Sequence, residues 1–236
     1  TRKEWGAIAP VSLFSGVLGT LFFTTALLKV NFISFSVVYL IQKLQPVFAI
    51  LMGTLILREK PSREFMLWAA LALAAGYFVT FPLGVVNFAE GGAHVVAASL
   101  ALLAAICWGC STALSRYTLL NHSNTFMIGI RFLITIPIAL ALAWALGATE
   151  SFASVTNAQF GTLTLIALST GMLALWIYYR GLATTPVRVA AMMELAYPTT
   201  AVIVDYALYG TLLAWSQYLA AAVLLFAMYK VAKLQS

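Results

Sequence analysis

Tyr39, Gln42, Lys43 and Gln45, with Pro46 behind them, interrupt an otherwise apolar run from 32 to 57. On a helix, positions 39, 42, 43 and 46 share one face, so Tyr39, Gln42, Lys43 and Pro46 look the same way. A second apolar run, 187–209, carries Glu194, Pro198, Ala201 and Asp205 on a single face, with Tyr197 beside it. A charge at the centre of a lipid-spanning helix costs about 2.5–3.5 kcal/mol, so an ammonium and a carboxylate here need water or a partner. Recognition and proton handling are the chemistry these types can do. Lys43 attracts a carboxylate or another anionic group; Glu194 takes a proton or meets an ammonium group. A salt bridge between them, tying the two runs together, is the structural alternative. Gln42, Tyr39 and Tyr197 complete the candidate substrate-binding set. Pro46 and Pro198 each remove one intrahelical hydrogen bond and free a carbonyl, which makes them candidate hinges, with a static bend as the alternative.

Bond-breaking chemistry finds little support. Cys107 and Cys110 form CWGC inside an apolar run, with no second pair and no nearby His, so packing is expected, not a metal or redox centre. His94 and His122 fall at the ends of apolar runs, without the partners a metal or catalytic site needs. No catalytic residue, metal ligand or cofactor is therefore expected, and the lack of a P-loop argues against direct use of ATP. Asp205 lies toward an outer end, within reach of interfacial water. Arg131, about seven residues into its run, is expected to snorkel to the interface as an anchor, with substrate contact as the alternative. Trp5, Trp144 and Trp215 read as interface anchors. Trp108, Trp176, Tyr178 and Tyr179 border the path or face lipid.

The elements that must position these groups follow from composition. The chain has 236 residues, 63% of them hydrophobic and 8% charged, with a mean hydropathy of +0.97, more apolar surface than a soluble core of this size can hide. Eight apolar runs approach the roughly 20 residues a membrane helix needs: 6–28, 32–57, 64–82, 94–115, 125–147, 159–180, 187–209 and 214–232. Helices are the form that satisfies their backbone in lipid. The net charge of +6 marks a side of the membrane and implies no nucleic acid. Arg2, Lys3, Arg58, Lys60, Arg63, Arg116, Arg180, Arg188, Lys230 and Lys233 sit at the two ends and at alternate turns. The opposite turns hold Lys29, Glu90 and Glu150, so both termini are expected in the cytoplasm. The opening TRKEWGAIAP shows no secretory signal and no Met, and is expected to lie inside a longer chain.

Laying Pro46 on Pro198 places FISFSVVYLIQKLQPVFAILMG on TTPVRVAAMMELAYPTTAVIVD without a gap, and Gly19 on Gly171. The first three spans then correspond to the last three. Two five-span repeats account for this, residues 1–88 holding the last three spans of the first and 89–236 the whole second. Chance likeness between apolar helices is the alternative. Five is odd, so the repeats enter the membrane from opposite sides. Inverted repeats are the architecture of secondary transporters, whose substrate site lies near the midplane.

These segments resemble the EamA-type transporters of the drug/metabolite transporter superfamily. QPVFAILMGTLILREKPS is similar to the family's fourth-span signature, CWGCSTALSRY to its Trp-Gly element, IRFLITIPIAL to its Arg-Phe element, and GLATTPVRVAAMMELAYP to the turn and helix before the second Pro. YGTLLAW departs by lacking the Gly-Glu-Arg turn, and ALLKVNFISF by a longer turn. The resemblance implies an all-α polytopic membrane helix bundle, with eight spans visible of ten, in the bacterial inner membrane. It implies a secondary transporter that moves a small organic metabolite, an amino acid or related compound, by alternating access in the export direction. A transporter of phosphorylated or nucleotide-linked sugars is a second reading, although only Lys43 is placed for phosphate. An intramembrane enzyme or a non-transporting membrane bundle is the reading from another class. The expected partners are a small-molecule substrate and the lipid bilayer, with no nucleic acid. Small residues at 70–76 and 220–222 allow close helix contact, within the bundle or as a homodimer seam.

Overall fold

Lipid offers no partner to a backbone N–H or C=O, so each apolar run closes its hydrogen bonds on itself. The computed structural model of the chain describes residues 2–29, 36–84, 92–197, 200 and 214–234, and these form an all-helical polytopic membrane bundle. The first expected span is α1 (Arg2–Leu13) and α2 (Gly19–Lys29), joined through a π segment at Phe14–Leu18. The second is divided, α3 (Ser36–Gln42) giving way at Lys43 and Leu44 before α4 (Gln45–Leu57) begins. Three uninterrupted helices follow: α5 (Arg63–Thr80), α6 (Gly92–Leu119) and α7 (Asn124–Ala145). The sixth span is α8 (Asn157–Ile166) and α9 (Ala174–Leu182), again with a π segment between them, Ala167–Leu173. The seventh opens as α10 (Val187–Met193) and turns at Glu194 and Leu195; Pro198, Ala201 and Asp205 lie outside the described residues. The last is α11 (Trp215–Lys233). Among the described residues, five runs are long and apolar enough to cross a membrane: Trp5–Lys29, Val95–Leu119, Asn124–Ala145, Asn157–Leu182 and Trp215–Lys233.

The break in the second span corrects the expectation of one helix over 32–57, and its cause is local. Pro46 has no N–H to offer the carbonyl of Gln42, so the ladder tightens on either side. Lys43 N still donates to Tyr39 O (3.1 Å), but Leu44 N reaches Ile41 O (3.0 Å) and Val47 N reaches Leu44 O (2.9 Å), both one residue short of an α-helical bond. Pro46 itself falls in the first turn of α4, where a missing N–H goes unnoticed. The seventh span repeats the pattern: Glu194 N donates to Ala190 O (3.1 Å), then Leu195 N to Met192 O (3.2 Å) and Tyr197 N to Glu194 O (3.2 Å). The two π segments also fall at matched places in the register that lays Pro46 on Pro198.

Helix α6 is the spine. It packs against α1, α2, α3 and α4, using the buried small residues Ala97, Ala101, Ala104, Ala105 and Ala113. Small side chains also join α5 to α11, where Ala69, Ala72 and Ala75 meet Ala220, Leu224, Ala227 and Val231 in one apolar cluster. The runs at 70–76 and 220–222 thus pack on each other inside the chain. Cys107 is buried and Cys110 half-buried along α6, both as free thiols.

A hydrogen-bonded cap adds to the packing of α4 on the start of α10, where Ala49, Val187 and Ala191 form one apolar cluster. Arg58 adopts a left-handed conformation (φ 56°) that ends α4 and turns Glu59 toward the other half of the chain. There the Glu59 carboxylate accepts from Val187 N (2.8 Å) and Arg188 N (3.2 Å), two of the orphan donors of α10. Nearby, Arg116 donates to the Ala183 carbonyl. The turns at 58–63, 116–123 and 183–188 therefore gather at one end of the bundle, the basic end. Glu59→Ala leaves both N–H groups without their acceptor and is expected to lower stability by about 1–2 kcal/mol. Thermal unfolding of the purified protein in detergent measures it; an unchanged midpoint would show the cap to be inconsequential.

Candidate functional site

The two helix breaks open onto one cavity of about 510 Å³. From the first break come Tyr39, Gln42, Lys43, Gln45 and Pro46; from the second come Met193, Glu194, Leu195 and Tyr197; Phe23 of α2 and Trp108 of α6 close the remaining wall. The five side chains singled out for binding, Tyr39, Gln42, Lys43, Glu194 and Tyr197, are thus brought to one space. Pro46 lines it as well, while the second expected hinge, Pro198, falls outside the described residues.

A chain of hydrogen bonds crosses the cavity. Gln42 Nε2 donates to Gln45 Oε1 (3.1 Å), Gln45 Nε2 donates to Glu194 Oε2 (2.7 Å), and the Tyr178 hydroxyl donates to Glu194 Oε1 (2.6 Å). Both oxygens of the carboxylate are held, one by each half of the molecule. Lys43 takes no part in this chain. Its ammonium lies over the Tyr197 ring, 5.3 Å from the centroid, a cation–π contact. Among the described residues the Lys43–Glu194 salt bridge is not formed, so the two charges share the cavity without pairing. The opposite wall is aromatic: Phe23 meets Tyr39 edge-on (centroids 5.6 Å apart, planes at 88°) and Trp108 at a tilt (5.3 Å, 54°). Gly19 makes room for the indole, since a Cβ there would lie 2.5 Å from Trp108 Nε1.

A second cavity of about 310 Å³ lies one to two turns along α6 toward the basic end. It shares Gln45, Trp108, Tyr178 and the Glu194 carboxylate with the α4, α6, α9 and α10 region just described, and adds Ser15, Ser111, Thr112, Ser115, Arg131 and Tyr179. Arg131 corrects an expectation: it turns inward and does not snorkel to the interface. Its Nη1 donates to the Tyr179 hydroxyl (2.9 Å), which also pairs with Ser115 Oγ (3.0 Å), and these partners inside the bundle outcompete the interface. Trp176 lies elsewhere, its Nε1 donating to Thr125 Oγ1 (3.4 Å) while Arg180 sits over its ring.

Gln45, one of the polar residues of the apolar run, falls outside the expected binding set because an unbroken helix turns it away from Tyr39 and Lys43; the break at Lys43 and Leu44 brings it round. The hydroxyl row was readable. Trp108, Ser111, Thr112 and Ser115 recur at helical spacing, one face of α6.

A membrane bundle whose interior polar groups converge on an aromatic-walled cavity has the form of a path for a small molecule. The chain belongs to the EamA-like transporter family, whose sequence profile matches residues 1–81 and 95–232. It is therefore a multi-pass membrane transporter of the drug/metabolite transporter superfamily and not an enzyme. Among its relatives is the riboflavin transporter ImpX of Fusobacterium nucleatum subsp. nucleatum, 35% identical over 224 residues, covering 95% of this chain and 75% of that protein. The fold is shared with a protein of known crystal structure at 17% identity, with a TM-score of 0.71 over 98% of this chain and 76% of the other.

Proposed function

We propose that the chain carries a flat, hydrogen-bonding heterocycle of the riboflavin kind across the bacterial inner membrane by alternating access. Two inverted repeats, 1–88 and 89–236, move against each other, with the breaks ahead of Pro46 and Pro198 as hinges. Tyr39, Gln42, Lys43, Glu194 and Tyr197 hold the solute between them. The observation that carries this reading is the cavity at the helix breaks. Its volume of about 510 Å³ falls within the roughly 300–1,000 Å³ of small-molecule sites, its aromatic walls suit a planar ring, and its amides and charges suit a ring edge rich in donors and acceptors. The name of the 35%-identical relative points the same way. An amino acid, the solute expected from the family resemblance, leaves most of the aromatic wall without a partner.

Flux in proteoliposomes made with the full chain tests the proposal, riboflavin being followed by its fluorescence in both directions and amino acids by competition. Saturable riboflavin flux is expected, and Lys43→Ala is expected to reduce it about tenfold, equivalent to about 1.4 kcal/mol. Flux of amino acids without riboflavin would overturn the solute class.

A further inference from the structure

We infer that the cavity at Arg131 is a second subsite of the solute path, holding a neutral, hydroxyl-rich tail while the ring occupies the aromatic-walled cavity; this rests on the flavin-like reading above. The guanidinium carries five donors in a fixed fork, and a buried cation needs acceptors for them. Arg131 Nη1 has the Tyr179 hydroxyl, while Nε is buried without a hydrogen-bond partner among the described residues and is closed to the cavity, so it is the Nη edge of the half-buried guanidinium that can meet a solute. Among the described residues no carboxylate pairs with it, and its guanidinium carbon lies 5.9 Å from the Tyr179 ring centroid. The hydroxyls around it have the opposite need. Ser15 donates back to Val11 O (3.0 Å) and Thr112 to Trp108 O (3.1 Å), so their oxygens remain available as acceptors.

A solute group that completes this site must accept from the guanidinium and donate to the serine and threonine oxygens. A chain of hydroxyl groups does both, and an anion does only the first. Glu194 decides against the anion as well: its carboxylate lines the same cavity and would face a second negative charge. The two cavities share Gln45, Trp108 and Glu194 as a common wall, so a molecule that occupies both, ring on one side and tail on the other, must part the Gln45–Glu194 hydrogen bond as it binds.

Two probes with the same isoalloxazine ring separate the parts: riboflavin, which carries a polyol chain at N10, and lumiflavin, which carries a methyl group there. Binding to the purified full chain is read from the quenching of their fluorescence. The wild type is expected to bind riboflavin about tenfold more tightly than lumiflavin, and Arg131→Gln to remove that difference by weakening riboflavin alone. Ser15→Ala, milder for folding, is expected to weaken riboflavin about threefold and to spare lumiflavin. Equal losses for both probes, or no preference for riboflavin in the wild type, would overturn the tail subsite and leave the ring cavity standing. Failure of both probes to bind the wild type would overturn the flavin-like reading, and the subsite with it.

Discussion

Glu194→Gln is expected to slow transport about 100-fold while the protein still inserts, a loss of about 2.7 kcal/mol. The carboxylate accepts at both oxygens, from Gln45 Nε2 on one side and the Tyr178 hydroxyl on the other. An amide has a single oxygen. If that oxygen stays on Gln45 Nε2, the nitrogen meets the Tyr178 oxygen, and the hydroxyl proton that the carboxylate now accepts must turn away; a buried donor left unpaired costs about 1–3 kcal/mol. Turning Gln45 over does not relieve the conflict, because its Oε1 is already engaged by Gln42 Nε2 at 3.1 Å. Initial rates in proteoliposomes measure the effect, and wild-type rates would remove the carboxylate from the path. The same variant tests the hypothesis that Glu194 carries a coupling proton: full pH-driven transport in Glu194→Gln would eliminate it.

Gly109→Val is expected to be the most damaging substitution for folding. A Cβ at Gly109 would lie 2.7 Å from both the Gln45 carbonyl oxygen and Phe48 Cβ, and 2.9 Å from Ala49 N. Two of those atoms are backbone, so α4 must move away from α6 as a unit. Overpacking of this kind costs about 3 kcal/mol, and because Gln45 stands at the contact, the hand-off to Glu194 is lost with it. Gly129 of α7 is the control: nothing lies within 4 Å of its position, so Gly129→Ala should be neutral or stabilising by up to about 1 kcal/mol through helix propensity. Unfolding midpoints in detergent compare the two. Equal midpoints would contradict the close approach of α4 and α6.

What the sequence disclosed and what it hid divide along the reach of a single helix. Apolar length located the membrane segments, and the alternation of basic turns anticipated the gathering of Arg58, Arg116 and Arg188 at one end. Helical spacing was enough to align Tyr39, Gln42 and Lys43. It failed at Gln45, where the three-residue bonds around Lys43 and Leu44 change the angle between neighbours. Arg131 was misread for a different reason. Depth along its own span says only how far the interface is, whereas its orientation is set by Tyr179 and Ser115 on two other spans. The hydrogen-bond partners of Glu194, Gln45 and Tyr178, were likewise invisible until the spans were packed.

The Glu59 cap has a kinetic corollary. It joins the end of α4 to the start of α10 at the basic end, so any parting of the two there must break it. An empty carrier idling between cycles therefore finds the door at that end latched. Half-saturation measured from the two faces of the membrane should differ, and severing the latch should bring the two values together.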